Sequence, residues 1–107
     1  MNTKFLLTIG LIFSLLGFAA SATDLARYVG WTIAADKRIA GYVDDKGNEK
    51  SEFDGCDFDW KIIFDDRTFL TCTGYHYHYA YHPEAILLVR NNSWMMLVDG
   101  DAYDMRN

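Results

Sequence analysis

From residue 29 to the C terminus, runs of apolar, β-branched and aromatic residues recur about every 8 to 12 residues, each closed by a turn signal, and none of them carries a helical period. Strands this short, joined by tight turns with no crossover helix between them, pair antiparallel. The reading is an all-β domain: a small antiparallel meander of about 6–8 short strands, closed into a barrel or a sandwich.

The strongest local signals lie in the second half of the chain. Residues 56–64 alternate, with Cys56, Phe58, Trp60, Ile62 and Phe64 on one face, as expected of one half-buried strand. Asp65-Asp66-Arg67 turns into residues 68–73, which predicts Ile62 opposite Leu70 and Trp60 opposite Cys72. Asn91-Asn92 is a two-residue hairpin signal between the apolar runs 85–90 and 93–98; it pairs Val89 with Trp94 and Leu87 with Met96 on one face, Leu88 with Met95 and Ile86 with Leu97 on the other. Asp99-Gly100 turns into a last strand at residues 102–105. Earlier in the chain, residues 29–35 and 39–43 read as two strands around a polar turn, Asp36-Lys37-Arg38, and residues 44–54 as the longest loop. Thr23 or Asp24 is available to cap a short N-terminal helical turn ending near Tyr28.

Compartment follows from the N terminus. Lys4, an apolar run over residues 5–20 and the small-x-small sequence Ala20-Ser21-Ala22 fit a cleavable signal peptide, residues 1–22. The run is short for a bilayer span, and no positive cluster follows it to stop transfer. Residues 23–107 then form a single small β domain of 85 residues, periplasmic or secreted, with no stable membrane span after cleavage. Outside the cytoplasm, Cys56 and Cys72 read as a disulfide, closing a 17-residue loop counted with both ends. In an unbent strand Cys56 lies roughly 13 Å beyond the partner of Cys72, so the chain must bend, with Gly55 the expected place.

Charge narrows the partners. The full chain is at −5, and loss of Lys4 brings the mature domain near −6. Nucleic acid is excluded as a natural partner, because affinity for a phosphate backbone comes from clustered lysine and arginine; a basic exported protein, or a second copy of the chain, fits better.

Two clusters carry the chemistry. Residues 75–82 alternate Tyr75, Tyr77, Tyr79 and Tyr81 with His76, His78 and, after Ala80, His82. His76 and His78 sit about 7 Å apart on one strand face, close enough for two imidazoles to reach one Cu or Zn ion, although a closed site needs a carboxylate from elsewhere. The bland reading puts the histidines in solvent and the tyrosines in the core; the functional one makes the tyrosines a recognition face. Ile86, Leu88, Met95 and Leu97 form a second candidate surface if the hairpin lies in a barrel with its outer face free. No catalytic constellation is present: Ser51 and Ser93 lie in no nucleophile elbow, and the aspartates offer no selected acid–base pair. Asp57-x-Asp59 and Asp99-Gly100-Asp101 are fragments of a calcium loop. The expectation is a small exported acidic binding or accessory domain, not an enzyme, with no cofactor beyond weak Cu or Zn; the alternative is a periplasmic Cu/Zn-binding protein using His76 and His78.

Overall fold

The computed structural model describes residues 25–107. The chain divides into two compact units, residues 1–30 and residues 31–107. In the first, Ala26–Tyr28 form one 3-10 turn, preceded by Leu25 without a side-chain cap. The signal peptide and the capping residues Thr23 and Asp24 lie outside the described residues.

The second unit is all-β. Its strands are β1 (Thr32–Val43), β2 (Glu49–Lys50), β3 (Phe53–Cys56), β4 (Lys61–Phe64), β5 (Phe69–Cys72), β6 (His76–Ala80), β7 (Glu84–Arg90), β8 (Ser93–Val98) and β9 (Asp101–Arg106). Six of them close an antiparallel barrel in the order β1-β4-β5-β9-β8-β7, with β7 returning to β1. The short strand β2 adds to β1 beyond the point where β7 ends, and β3 and β6 form a separate two-stranded ribbon.

Closure depends on β1, the longest strand at 12 residues. Its first half pairs with β7, from Thr32↔Val89 to Arg38↔Glu84, and its second half with β4, through Tyr42↔Ile62 and Val43↔Lys61. Register shifts between Ile33 and Ala35 and between Ile39 and Gly41 bend it around the barrel. Asp36-Lys37-Arg38 is therefore not a turn. Those residues pair with Ile86, Ala85 and Glu84, because a turn there would leave the edge of β7 open. The ammonium group of Lys37 reaches the rim, donating to Thr68 Oγ1 (2.7 Å) and pairing with Asp66 (2.8 Å).

Inward-facing residues of every barrel strand fill the interior: Ile39, Tyr42, Ile62, Phe64, Leu70, Cys72, Leu87, Met96, Val98, Tyr103 and Met105 are all buried. The hairpin pairs expected across Asn91-Asn92 are the pairs observed, and Ile62 lies opposite Leu70.

Residues 56–64 are not one strand. β3 ends at Cys56, and residues 57–60 reverse direction, with Trp60 N donating to Asp57 O (3.1 Å) and Asp59 at φ 67°. Phe58, expected inside, is 61% exposed on that turn. The reversal resolves the distance problem: Cys72 N donates to Trp60 O, as the predicted register requires, while Cys56 folds back to bond Cys72 with their Cα atoms 5.7 Å apart. The bend falls just after the cysteine and not at Gly55. Gly55 serves differently: its φ is +84°, and a Cβ there would drive into the backbone of His76 and His78, so glycine is what lets β3 and β6 approach. The region 44–54, expected as loop, holds β2 and part of β3; Asp44 organises the β1–β2 turn by accepting from the backbone N–H groups of Lys46 and Asn48.

Candidate functional site

The ribbon lies over one end of the barrel. Phe53 and Cys56 of β3 are fully buried in the common core, and Phe53 meets Tyr103 of β9 edge to face with ring centroids 5.6 Å apart. Beside them Trp60 stacks on Tyr42, whose hydroxyl donates to Asp54 Oδ2 (2.7 Å); burial first, and then the Asp54 carboxylate, hold that phenol protonated. With this end of the core already occupied by aromatic rings, β6 contributes only Ala80 to its edge.

That filling decides which face of β6 turns out. Tyr75, Tyr77, Tyr79 and Tyr81 are 68%, 63%, 53% and 75% exposed, so they do not pack in the core as the bland reading placed them. Exposed in this way, the four hydroxyls are open to solvent while the rings offer apolar area. The histidine side turns instead toward the β8–β9 turn. There Asp99 (φ 50°) and Gly100 (φ 83°) make a two-residue hairpin loop that presents the carboxylates of Asp99 and Asp101.

The two imidazoles and the two carboxylates meet. His76 Nε2 lies 3.3 Å from Asp101 Oδ2, and His78 Nε2 lies 2.9 Å from Asp99 Oδ2; His78 Nδ1 is 3.7 Å from Asp101 Oδ2. Tyr103 lies behind them, its ring edge-on to His76 at 5.3 Å. The Tyr103 hydroxyl is buried with no hydrogen-bond partner, and burial first, then the charges of Asp101 and Asp99, push its ionisation well above the usual phenol range. His76 and Tyr103 also line one cleft of about 200 Å³ with Cys56, Gly74 and Ala102. His82 is not part of this group: its Nδ1 donates to Ile39 O (3.1 Å), and its own carbonyl accepts from Arg38. Among the described residues, no three His, Cys, Asp or Glu side chains stand already converged as a metal-holding group.

The carboxylates that stand beside His76 and His78 are Asp99 and Asp101, legible in the sequence as turn residues and as a calcium-loop fragment. Their place depends on β6 crossing the barrel end above the β8–β9 turn, a tertiary contact without a local signal. The other candidate surface is less open than a free outer face would be. Leu88 is 4% exposed, and Ile86, Met95 and Leu97 are half-buried. A wider groove of about 530 Å³ is lined by Gly41, Val43, Glu49, Lys50 and Ile63 and by no residue of either cluster. No described helix is long and apolar enough to cross a membrane. No protein-family model, curated protein or solved structure matches the chain.

Proposed function

We propose that this is a small exported binding or accessory domain, periplasmic or secreted, that acts by protein–protein interaction through the tyrosine face of β6. The observation that carries the reading is that row of four exposed rings, Tyr77 and Tyr79 on β6 with Tyr75 and Tyr81 just outside its ends, on a ribbon the barrel does not need for closure. Tyrosine gives a large, stiff contact area with a polar tip and is enriched in protein interfaces for that reason. The formal charge of −5 steers basic partners toward the molecule, so a cationic exported protein is the partner class, with self-association as the other outcome. The disulfide and the apolar N-terminal run support the compartment.

The test is copurification of exported proteins on the native chain and on Tyr77→Thr/Tyr79→Thr, a change that keeps strand propensity and removes two rings. Loss of a specific partner in the variant is the expected result. A monomer in sedimentation that retains the same proteins with and without the two rings, or retains none, sinks the reading.

A second reading, a periplasmic transition-metal protein using His76 and His78, is favoured by one observation: the carboxylates of Asp101 and Asp99 that meet the two imidazoles. A thermal scan with and without Zn²⁺ or Cu²⁺, repeated on His76→Ala/His78→Ala, tests it. The melting temperature should rise with metal only when the histidines are present.

A further inference from the structure

We propose that the junction of β6 with the β8–β9 turn is a Zn²⁺ or Cu²⁺ site whose ligand atoms are His76 Nε2, His78 Nδ1 and Asp101 Oδ2, with Asp99 holding the His78 ring in position. This rests on the metal-binding reading and names its ligand set. The two carboxylates have different jobs, and the distances assign them.

Asp99 Oδ2 lies 2.9 Å from His78 Nε2. An ionised carboxylate only accepts, so the ring proton sits on Nε2 and the lone pair is left on Nδ1. That Nδ1 faces Asp101 Oδ2 at 3.7 Å, and the same oxygen is 3.3 Å from His76 Nε2. Around a tetrahedral zinc with bonds of about 2.0–2.1 Å, neighbouring ligand atoms are about 3.3 Å apart. The first separation exceeds that by a few tenths of an ångström, and the second matches it. As they stand the side chains do not converge on one point, so the set closes only by a turn of the His78 ring and of the Asp101 carboxylate when the metal binds. A carboxylate bound to the far nitrogen of a ligating imidazole is the arrangement that fixes the tautomer and raises the basicity of the ligand, and Asp99 occupies that place.

The charge around the cluster bears on the same reading. The Tyr103 hydroxyl is the one buried side-chain polar atom among the described residues without a hydrogen-bond partner, and the charges of Asp101 and Asp99 act on it. Neither carboxylate is paired with a lysine or arginine among the described residues. Among the described residues, the two imidazoles are therefore the only ion-pair partners of these carboxylates. On binding, the metal takes the place of the proton between His76 Nε2 and Asp101 Oδ2: a neutral imidazole then carries its one ring proton on Nδ1, and a protonated one gives up its second proton to solvent. Affinity therefore falls as the pH is lowered.

The experiment is a Zn²⁺ titration by calorimetry on the purified, disulfide-intact protein and on Asp101→Asn, Asp99→Asn and His76→Ala/His78→Ala. A parallel measurement follows the imidazole ¹⁵N shifts of the native protein, which depends on no variant folding. The expected result is loss of binding in the double histidine variant, at least about tenfold weaker binding in Asp101→Asn, and about 10–100-fold weaker binding in Asp99→Asn. In the ¹⁵N spectrum His76 Nε2 and His78 Nδ1 should move with metal while His78 Nε2 stays protonated. If both asparagine variants bind as the native protein does and only the histidine variant fails, the metal reading stands and this ligand set is overturned. Metal contacting His78 through Nε2 overturns the role of Asp99. If all four proteins bind alike, or none binds, the metal reading falls with it.

Discussion

The β7–β8 hairpin and the β3–β6 ribbon are both antiparallel pairs, yet they are held by different means. The hairpin is joined by two residues, flanked by β1 and β9, and sends Leu87, Met96 and Val98 into the interior. The ribbon brings together strands that are far apart in sequence, belongs to no larger sheet, and is attached by one large buried ring, Phe53, one disulfide and polar side-chain contacts through Asp54, His76 and His78. Its second strand carries nearly all the chemically distinctive side chains. Separating the two tasks lets the barrel supply stability from ordinary aliphatic packing while β6 keeps histidines and tyrosines at the surface, where changing them costs the fold little.

That division breaks if changes in the barrel and in the ribbon cost the same. The largest effect belongs to the barrel: Phe64→Ala, at a fully buried position, should destabilise by about 3–5 kcal/mol in denaturant unfolding. Removing the staple with Cys56→Ala/Cys72→Ala should cost about 3 kcal/mol in the chain-entropy model for a loop of this length, and amide exchange should rise first in β3 and β6. Smaller again is Gly55→Ala, where the left-handed backbone alone costs about 1–2 kcal/mol and the added Cβ forces the ribbon strands apart. Exchange protection should fall in β6 and persist in β7 and β8; equal loss in both would show that ribbon and barrel unfold as one unit.

The smallest effect sharpens the comparison at the opposite rim. Asp66 is held down to about 2 by its hydrogen bonds from Lys37 and Thr68. Its folded value lies below its unfolded one, so its contribution is complete above the ordinary aspartate range and is lost as the pH falls through about 2. Asp66→Asn should lower the melting temperature slightly at neutral pH, and the two proteins should converge near pH 2. A gap that persists in acid would mean that the exposed carboxylate acts through something other than its charge.

How far the sequence could be read follows from how local each signal was. Asn91-Asn92 and Asp65-Asp66-Arg67 set registers across adjacent strands, and those registers are the ones observed. Alternation in residues 56–64 misled, because period 2 records which side chains suit a sheet but not where the backbone reverses; Asp59 reverses it. Asp36-Lys37-Arg38 looked like a turn because it is charged, whereas the unpaired edge of β7 draws it into β1. For the candidate site, His76 and His78 were legible as a pair on one face, and Asp99 and Asp101 as turn residues, but not their meeting.

The sequence by itself determined an all-β domain, the hairpin registers and the disulfide partners, since each rests on short-range periodicity, on turn chemistry or on there being only two cysteines. Only the tertiary structure decided that the sheet closes into a barrel, that β6 leaves its wall, and that the tyrosines face water while the histidines face Asp99 and Asp101. The physical reason is competition for volume: Phe53 and Tyr103 already fill that end of the core, and no pattern within β6 records what its neighbours occupy.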